Sequence, residues 1–217
     1  MFKESYRLLG LFGVLLSAGF LLYRWSGWKG FAAVGFIALL LFVFTVYFFR
    51  DPRRDVPPDP GSIVSPADGR IVAVEESESV EGCDGPTRTV AIFLSVWDVH
   101  VNRSPVDGKI ARVEYRKGDF KRAYLSDASA HNEQTRILIE SPLGKVLVRQ
   151  IAGILARRII CNLRAGDKVV RGERFGMIKF GSRTELALPQ SVRLRVSVGD
   201  KVKGGETIIG VFQHGKP

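Results

Sequence analysis

Two stretches without a single charged side chain, residues 8–23 and 30–49, constrain this chain more than anything else in it. Only the connector Arg24-Trp25-Ser26-Gly27-Trp28-Lys29 separates them. At a helical rise of about 1.5 Å per residue the second stretch reaches roughly 30 Å, the thickness of a bilayer's hydrocarbon core. The first is shorter and spans only with help from its flanks. Lys3 and Arg7 ahead of an apolar run also suit a signal peptide. No small-x-small cleavage site precedes the connector, however, and a second apolar run follows at once. The pattern predicts a two-helix hydrophobic membrane anchor over residues 1–50, which either spans the bilayer or dips into it. Lys3 and Arg7 before it, with Arg50, Arg53 and Arg54 after it, place both ends in the cytoplasm by the positive-inside bias, against Arg24 and Lys29 between. Tyr23, Trp25, Trp28 and Tyr47 fall where interfacial aromatics belong.

Four prolines in residues 51–61 forbid helix and sheet alike, so this segment reads as an extended linker along the membrane surface. From Ser62 the character changes to short runs rich in Val and Ile, punctuated by Gly, Asp and Pro. Strands are expected at 70–74, 89–94, 109–115, 135–140, 145–151, 158–163 and 193–198. Residues 119–132 suit a short helix or an irregular loop. Residues 62–217 are thus expected to form a mainly β soluble domain with few short helices. Within it, Gly166-Asp167-Lys168-Val169 is echoed by Gly199-Asp200-Lys201-Val202, each copy leading into an apolar strand. The glycines permit positive φ in tight turns. Such pairs resemble the hairpin elements of lipoyl and biotinyl carrier domains, but neither copy offers the flanked lysine that cofactor attachment needs.

The formal net charge is +10. No nucleic-acid motif accompanies it, and an anchor already puts the domain beside lipid headgroups. Anionic lipid is the expected partner, since juxtamembrane Lys and Arg attract it at about 1 kcal/mol each. Cys83 and Cys161 lie far apart without metal-ligand spacing, and His100, His131 and His214 are scattered. Free thiols and no metal site are expected.

Four further segments carry candidate chemistry. Ser65-Pro66-Ala67-Asp68-Gly69 puts a carboxylate in a tight turn, and Asp98-Val99-His100-Val101-Asn102-Arg103-Ser104-Pro105 puts a histidine past a strand. Ala156-Arg157-Arg158-Ile159 supplies paired arginines, and Phe180-Gly181-Ser182-Arg183 a hydroxyl beside an uncrowded carbonyl. Most Gly-Ser pairs are ordinary turns. In this company, and with Phe48-Phe49-Arg50-Asp51-Pro52 after the hairpin, the chain resembles the short form of the phosphatidylserine decarboxylase proenzymes over nearly its whole length.

The resemblance implies a pyruvoyl-dependent carboxy-lyase that converts phosphatidylserine to phosphatidylethanolamine at the cytoplasmic face of the cell membrane. Pyridoxal phosphate is the usual electron sink for amino-acid decarboxylation, but no phosphate-cradling Gly-rich loop leads into a helix here. The family instead makes a ketone from its own chain. Ser182 attacks the Gly181 carbonyl, elimination splits the chain into 1–181 and 182–217, and hydrolysis leaves a pyruvoyl cap that condenses with the lipid amine. The two chains are expected to stay associated. His100 is the candidate proton carrier, and Asp68 either orients it or assists in activating Ser182. Arg158 and Arg103 are candidate substrate contacts. Longer relatives carry a second histidine where Arg103 stands, so His100 serves both steps or His131 or another group assists. Asn132-Glu133 also matches the family and is expected to order its loop.

A non-catalytic reading is a membrane-anchored adaptor with a lipoyl-like domain. It explains the anchor and the repeats but not Ser182, Asp68 or His100 in their motifs. A serine hydrolase lacks its Gly-x-Ser-x-Gly elbow. A homo-oligomer is compatible with exposed strand edges, and the lipid backbone, diacyl or ether, is not encoded in these motifs.

Overall fold

The computed structural model describes residues 3–59, 61–121, 128–154, 158–179 and 181–212, in two compact units, Met1–Pro52 and Arg53–Pro217. The first unit holds helices α1 (Lys3–Ser26) and α2 (Lys29–Phe48), both long and apolar enough to cross a membrane. They pack backbone to backbone at Gly19 and Gly35. A Cβ on Gly19 would stand 3.0 Å from the Gly35 Cα and the Phe31 carbonyl, so only a small residue permits this approach.

The second unit is mainly β. Its strands are β1 (Ser62–Val64), β2 (Gly69–Ser77), β3 (Thr87–Leu94), β4 (Val101–Arg103), β5 (Gly108–Arg116), β6 (Gln134–Ser141), β7 (Gly144–Ile151), β8 (Ile159–Cys161), β9 (Lys168–Val169), β10 (Arg174–Ile178), β11 (Ser182–Pro189), β12 (Val192–Leu194), β13 (Lys201–Val202) and β14 (Ile208–Phe212). One short helix, α3 (Ala128–His131), precedes β6. Eight strands form an antiparallel sheet in the order β13-β2-β3-β11-β7-β6-β5-β9. Two three-stranded sheets, β1-β14-β12 and β4-β10-β8, complete the unit. Side chains alternate along each strand, and one face of the large sheet contributes Ile92, Ile137, Val148 and Leu186 to the core, which Ile63, Phe175 and Ile209 of the smaller sheets fill out.

The unit is built from two matching halves. Ser65-Pro66-Ala67-Asp68-Gly69-Arg70-Ile71 and Ser104-Pro105-Val106-Asp107-Gly108-Lys109-Ile110 occupy equivalent places, and each half hydrogen-bonds the other in the same way. Val64 N donates to the Pro105 carbonyl (3.0 Å), and Arg103 N donates to that of Pro66 (2.9 Å). The Gly-Asp-Lys-Val repeats belong to this pairing. Gly199 N donates to Ile71 O and Gly166 N to Ile110 O, both at 2.8 Å, so β13 edges β2 as β9 edges β5.

The proline-rich segment does not lie apart from this unit. It has no regular structure, as its prolines require, yet residues 53–59 are held against the strands by side chains from both partners. Arg171 Nη2 donates to the Pro57 carbonyl (2.7 Å), and Arg54 reaches back into the domain.

Candidate active site

Strand β11 runs through the middle of the large sheet, between β3 and β7, and Ser182 is its first residue. Ser182 sits opposite Leu94 of β3 and is wholly buried. By alternation its side chain shares the inner face with Thr184, Leu186 and Leu188. Among the described residues its Oγ has no hydrogen-bond partner, an exception to the rule that buried polar atoms are paired. Gly181 before it has φ +60°, a left-handed turn that favours glycine, with open space where a Cβ would be.

His100 ends the loop that leaves β3 just past Leu94. Asp98 shapes that loop, its Oδ2 accepting from Ser95 N (2.8 Å) and Ser95 Oγ (2.7 Å). The buried His100 ring places Nδ1 2.9 Å from the Asp98 carbonyl. A carbonyl only accepts, so Nδ1 carries the hydrogen of the neutral ring and Nε2 is the basic nitrogen. Ile178 N, at the end of β10, donates to the His100 carbonyl (3.3 Å), which ties His100 to the strand leading into Gly181.

Asp68 lies nearby, on the wall of a cleft of about 980 Å³ that Ser95, Trp97, Asp98, Lys201 and Lys203 also line. Its Oδ1 accepts from Gly204 N (2.8 Å), and Arg54 Nη2 bridges both carboxylate oxygens at 2.9 and 2.8 Å. Burial pushes the Asp68 carboxyl above the usual carboxylate range, against the opposing pull of the Gly204 amide and Arg54. Asp98 pushes the same way as burial. Each candidate thus adjoins the Ser95–Asp98 turn: Asp68 shares its cleft, His100 hydrogen-bonds Asp98, and Ser182 pairs with Leu94 just before it, while neither Ser182 nor His100 lines the cleft itself.

The family model described as phosphatidylserine decarboxylase matches residues 41–210, a span that contains Asp68, His100 and Ser182. The chain belongs to the phosphatidylserine decarboxylase family. A protein named phosphatidylserine decarboxylase proenzyme from Carboxydothermus hydrogenoformans is 44% identical over 97% of this chain and 95% of its own length. Proteins of the same name from Desulfotalea psychrophila (46% identical, 81% of this chain and 82% of that protein) and Syntrophus aciditrophicus (41%, 97% and 96%) agree.

Within this family member the two candidate arginines part ways. Arg103 is buried on β4, with Nη1 donating to the Gly172 carbonyl (3.0 Å), just past the first Gly-Asp repeat. Arg158 is exposed just ahead of β8, and its carbonyl accepts from Lys179 N (3.4 Å). Arg157, Phe180 and His214 lie outside the described residues. His131 is the last residue of α3, and Asn132 orders its loop as expected, donating to Lys121 O and Ala152 O, both at 2.8 Å. Cys83 and Cys161 are free thiols.

Sequence reasoning missed two buried groups around β11. On the inner face, Asn102 Nδ2 donates to Thr184 Oγ1 (3.2 Å) and Pro66 O (3.3 Å), while its Oδ1 accepts from Gln150 Nε2 (2.8 Å). On the outer face, the buried Glu185 carboxylate pairs with Arg149 (2.6 Å) and Arg183 (2.7 Å) and accepts from Ser129 Oγ. Asn102 was visible inside the histidine motif. Glu185 gave no signal, because a charged residue in a strand reads as solvent-facing.

Proposed function

We propose that this protein is a membrane-anchored phosphatidylserine decarboxylase whose prosthetic group is a pyruvoyl cap made from Ser182. The observation that carries this reading is the buried, unpartnered Ser182 Oγ following a left-handed glycine. Such a hydroxyl costs stability without a hydrogen bond in return, which fits a nucleophile awaiting reaction.

The chain's own residues account for self-cleavage. Ser182 Oγ bonds to the Gly181 carbonyl carbon and the Gly181–Ser182 C–N bond breaks, with the hydroxyl proton passing to the released nitrogen. His100 Nε2 is the base that relays it, assisted by the Asp68 carboxylate. Loss of the Ser182 Cα proton then expels the Gly181 carboxylate, and one water replaces the nitrogen, which leaves as ammonia. The pyruvoyl group so formed supplies the electron sink for decarboxylating a serine headgroup. His100 afterwards holds the proton that replaces CO₂, and the buried surroundings of Ser182 keep bulk water away.

The two apolar helices support anchoring in the cytoplasmic membrane with the β unit on the cytoplasmic side, next to anionic lipid. The paired Gly-Asp-Lys-Val steps support a duplicated lipoyl-like architecture. The test is a denaturing gel with mass spectrometry of the active enzyme. Two fragments are expected, one ending at Gly181 and one beginning at residue 182 with a blocked amino terminus, and Ser182→Ala should leave one uncut, inactive chain. Full activity from an intact polypeptide with an unmodified Ser182 would end this reading.

A further inference from the structure

We propose that Arg54, carried by the proline-rich segment after the apolar hairpin, is a positioning residue that aims the Asp68 carboxylate for self-cleavage. The proposal rests on the pyruvoyl reading above and adds the juxtamembrane segment to the machinery. Arg54 is a poor candidate for a mere surface contact. Its side chain is only 5% exposed, its Nη2 sits on both Asp68 oxygens, and its Nη1 lies 3.6 Å from Glu206.

The duplicated half supplies an internal control. Asp107 occupies the equivalent Asp-Gly turn, and its Oδ1 accepts from Arg171 N at 2.8 Å, as Asp68 accepts from Gly204 N. Among the described residues no guanidinium pairs with Asp107, which is exposed, yet its turn closes with the same backbone bonds. The arginine is thus not needed to build the turn. It comes from outside both halves and addresses the copy whose carboxylate faces the cleft.

The charges facing Asp68 make the consequence calculable in sign. Arg54 comes from the proline-rich segment, Arg70 from β2, Asp98 from the β3–β4 loop, and Lys201, Lys203 and Glu206 from β13 and the turn beyond it. Arg54 is the cation in direct contact, and it favours the ionised carboxylate against burial and Asp98. Removing it raises the pH at which Asp68 ionises.

The experiment follows cleavage of newly translated full chain in nanodiscs, by gel, across a pH series. Arg54→Met should cut more slowly than wild type at neutral pH, with its half-maximal pH displaced upward by about one to two units and the rate recovering in alkali. Arg54→Lys, which keeps the charge, should be displaced less. A wild-type pH profile in Arg54→Met, a loss equal at every pH, or equal displacement in both variants would overturn the proposal. Wild-type cleavage with indifference to Arg54 sinks only the positioning role. A wild-type chain that is never cut sinks the pyruvoyl reading and this role with it.

Discussion

Replacing Ser182 with alanine should make the uncut chain more stable, although it removes the proposed source of the pyruvoyl group. Ser182 is fully buried and its Oγ makes no hydrogen bond among the described residues. An unsatisfied buried hydroxyl costs about 1–3 kcal/mol in lost hydration. Alanine deletes that cost and leaves a void of one atom, so a net gain of about 1 kcal/mol is expected. Thr184, two residues along on the same face, is the contrast. Its Oγ1 accepts from Asn102 at 3.2 Å, so the isosteric Thr184→Val should lose about 1 kcal/mol by leaving an amide donor short of a partner. For a chain of this size each change moves the melting temperature by about 2–4 °C, in opposite directions. The comparison belongs in an uncut Asp68→Asn background shared by both variants, with thermal unfolding followed in detergent. A lower melting temperature for Ser182→Ala would show that the hydroxyl carries a bond, and the inference from an unpaired nucleophile would fail.

Two further outcomes follow from the same side chains. Glu185→Leu removes the carboxylate between Arg149 and Arg183 and should cost about 3–5 kcal/mol, read by urea unfolding, since it leaves two guanidinium groups without their anion in the sheet. A loss under 1 kcal/mol would mean that water reaches this face. Asp68, with its folded carboxyl raised by burial, binds its proton more tightly folded than unfolded. Its contribution to stability is present below the unfolded value near 3.8 and is lost as pH rises through the folded value. Asp68→Asn should therefore gain on wild type as pH climbs through that window, and a difference independent of pH would contradict the assignment.

The strands of the large sheet that alternate or run apolar, β3, β5, β6 and β7, were legible because their burial follows from side-chain type. Strand β11 was not. Ser-Arg-Thr-Glu-Leu-Ala-Leu is buried on both faces, and its charges are neutralised by Arg149 and by each other rather than by water. The same blindness hid Arg54, whose proline-rich surroundings read as a linker on the membrane surface. Prolines did exclude helix and strand there, but they say nothing about what an extended segment packs against. The duplication was only half seen. The Gly-Asp-Lys-Val echo stood out, while the matching Ser-Pro-x-Asp-Gly steps at Ser65 and Ser104 were in plain view and are what make Asp107 an internal control for Asp68. Ser182, Asp68 and His100 stood out as candidates because each sits in a motif. Their convergence depends on the β3–β11 register and the Ser95–Asp98 turn, which no local pattern encodes.

The position of Ser182 also bears on why a chain would cut itself in this way. Strand β11 is paired on both sides, by β3 and β7, while β13 pairs with β2 and β14 with β1. A break between Gly181 and Ser182 leaves all of these ladders intact, so the fragment beginning at residue 182 is held in place by strands of the other. Simple hydrolysis there would, however, create an ammonium group at wholly buried Ser182 as well as a carboxylate on half-buried Gly181. The effective penalty for burying an ion is several kcal/mol, comparable with much of a domain's net stability. Exchanging the amine for a neutral keto group removes the charge from the more deeply buried end and leaves only the Gly181 carboxylate. The burial that makes Ser182 costly as a hydroxyl thus favours a form of chain cleavage whose new amino end is uncharged, and in the proposed reading that end is the electron sink of the decarboxylation.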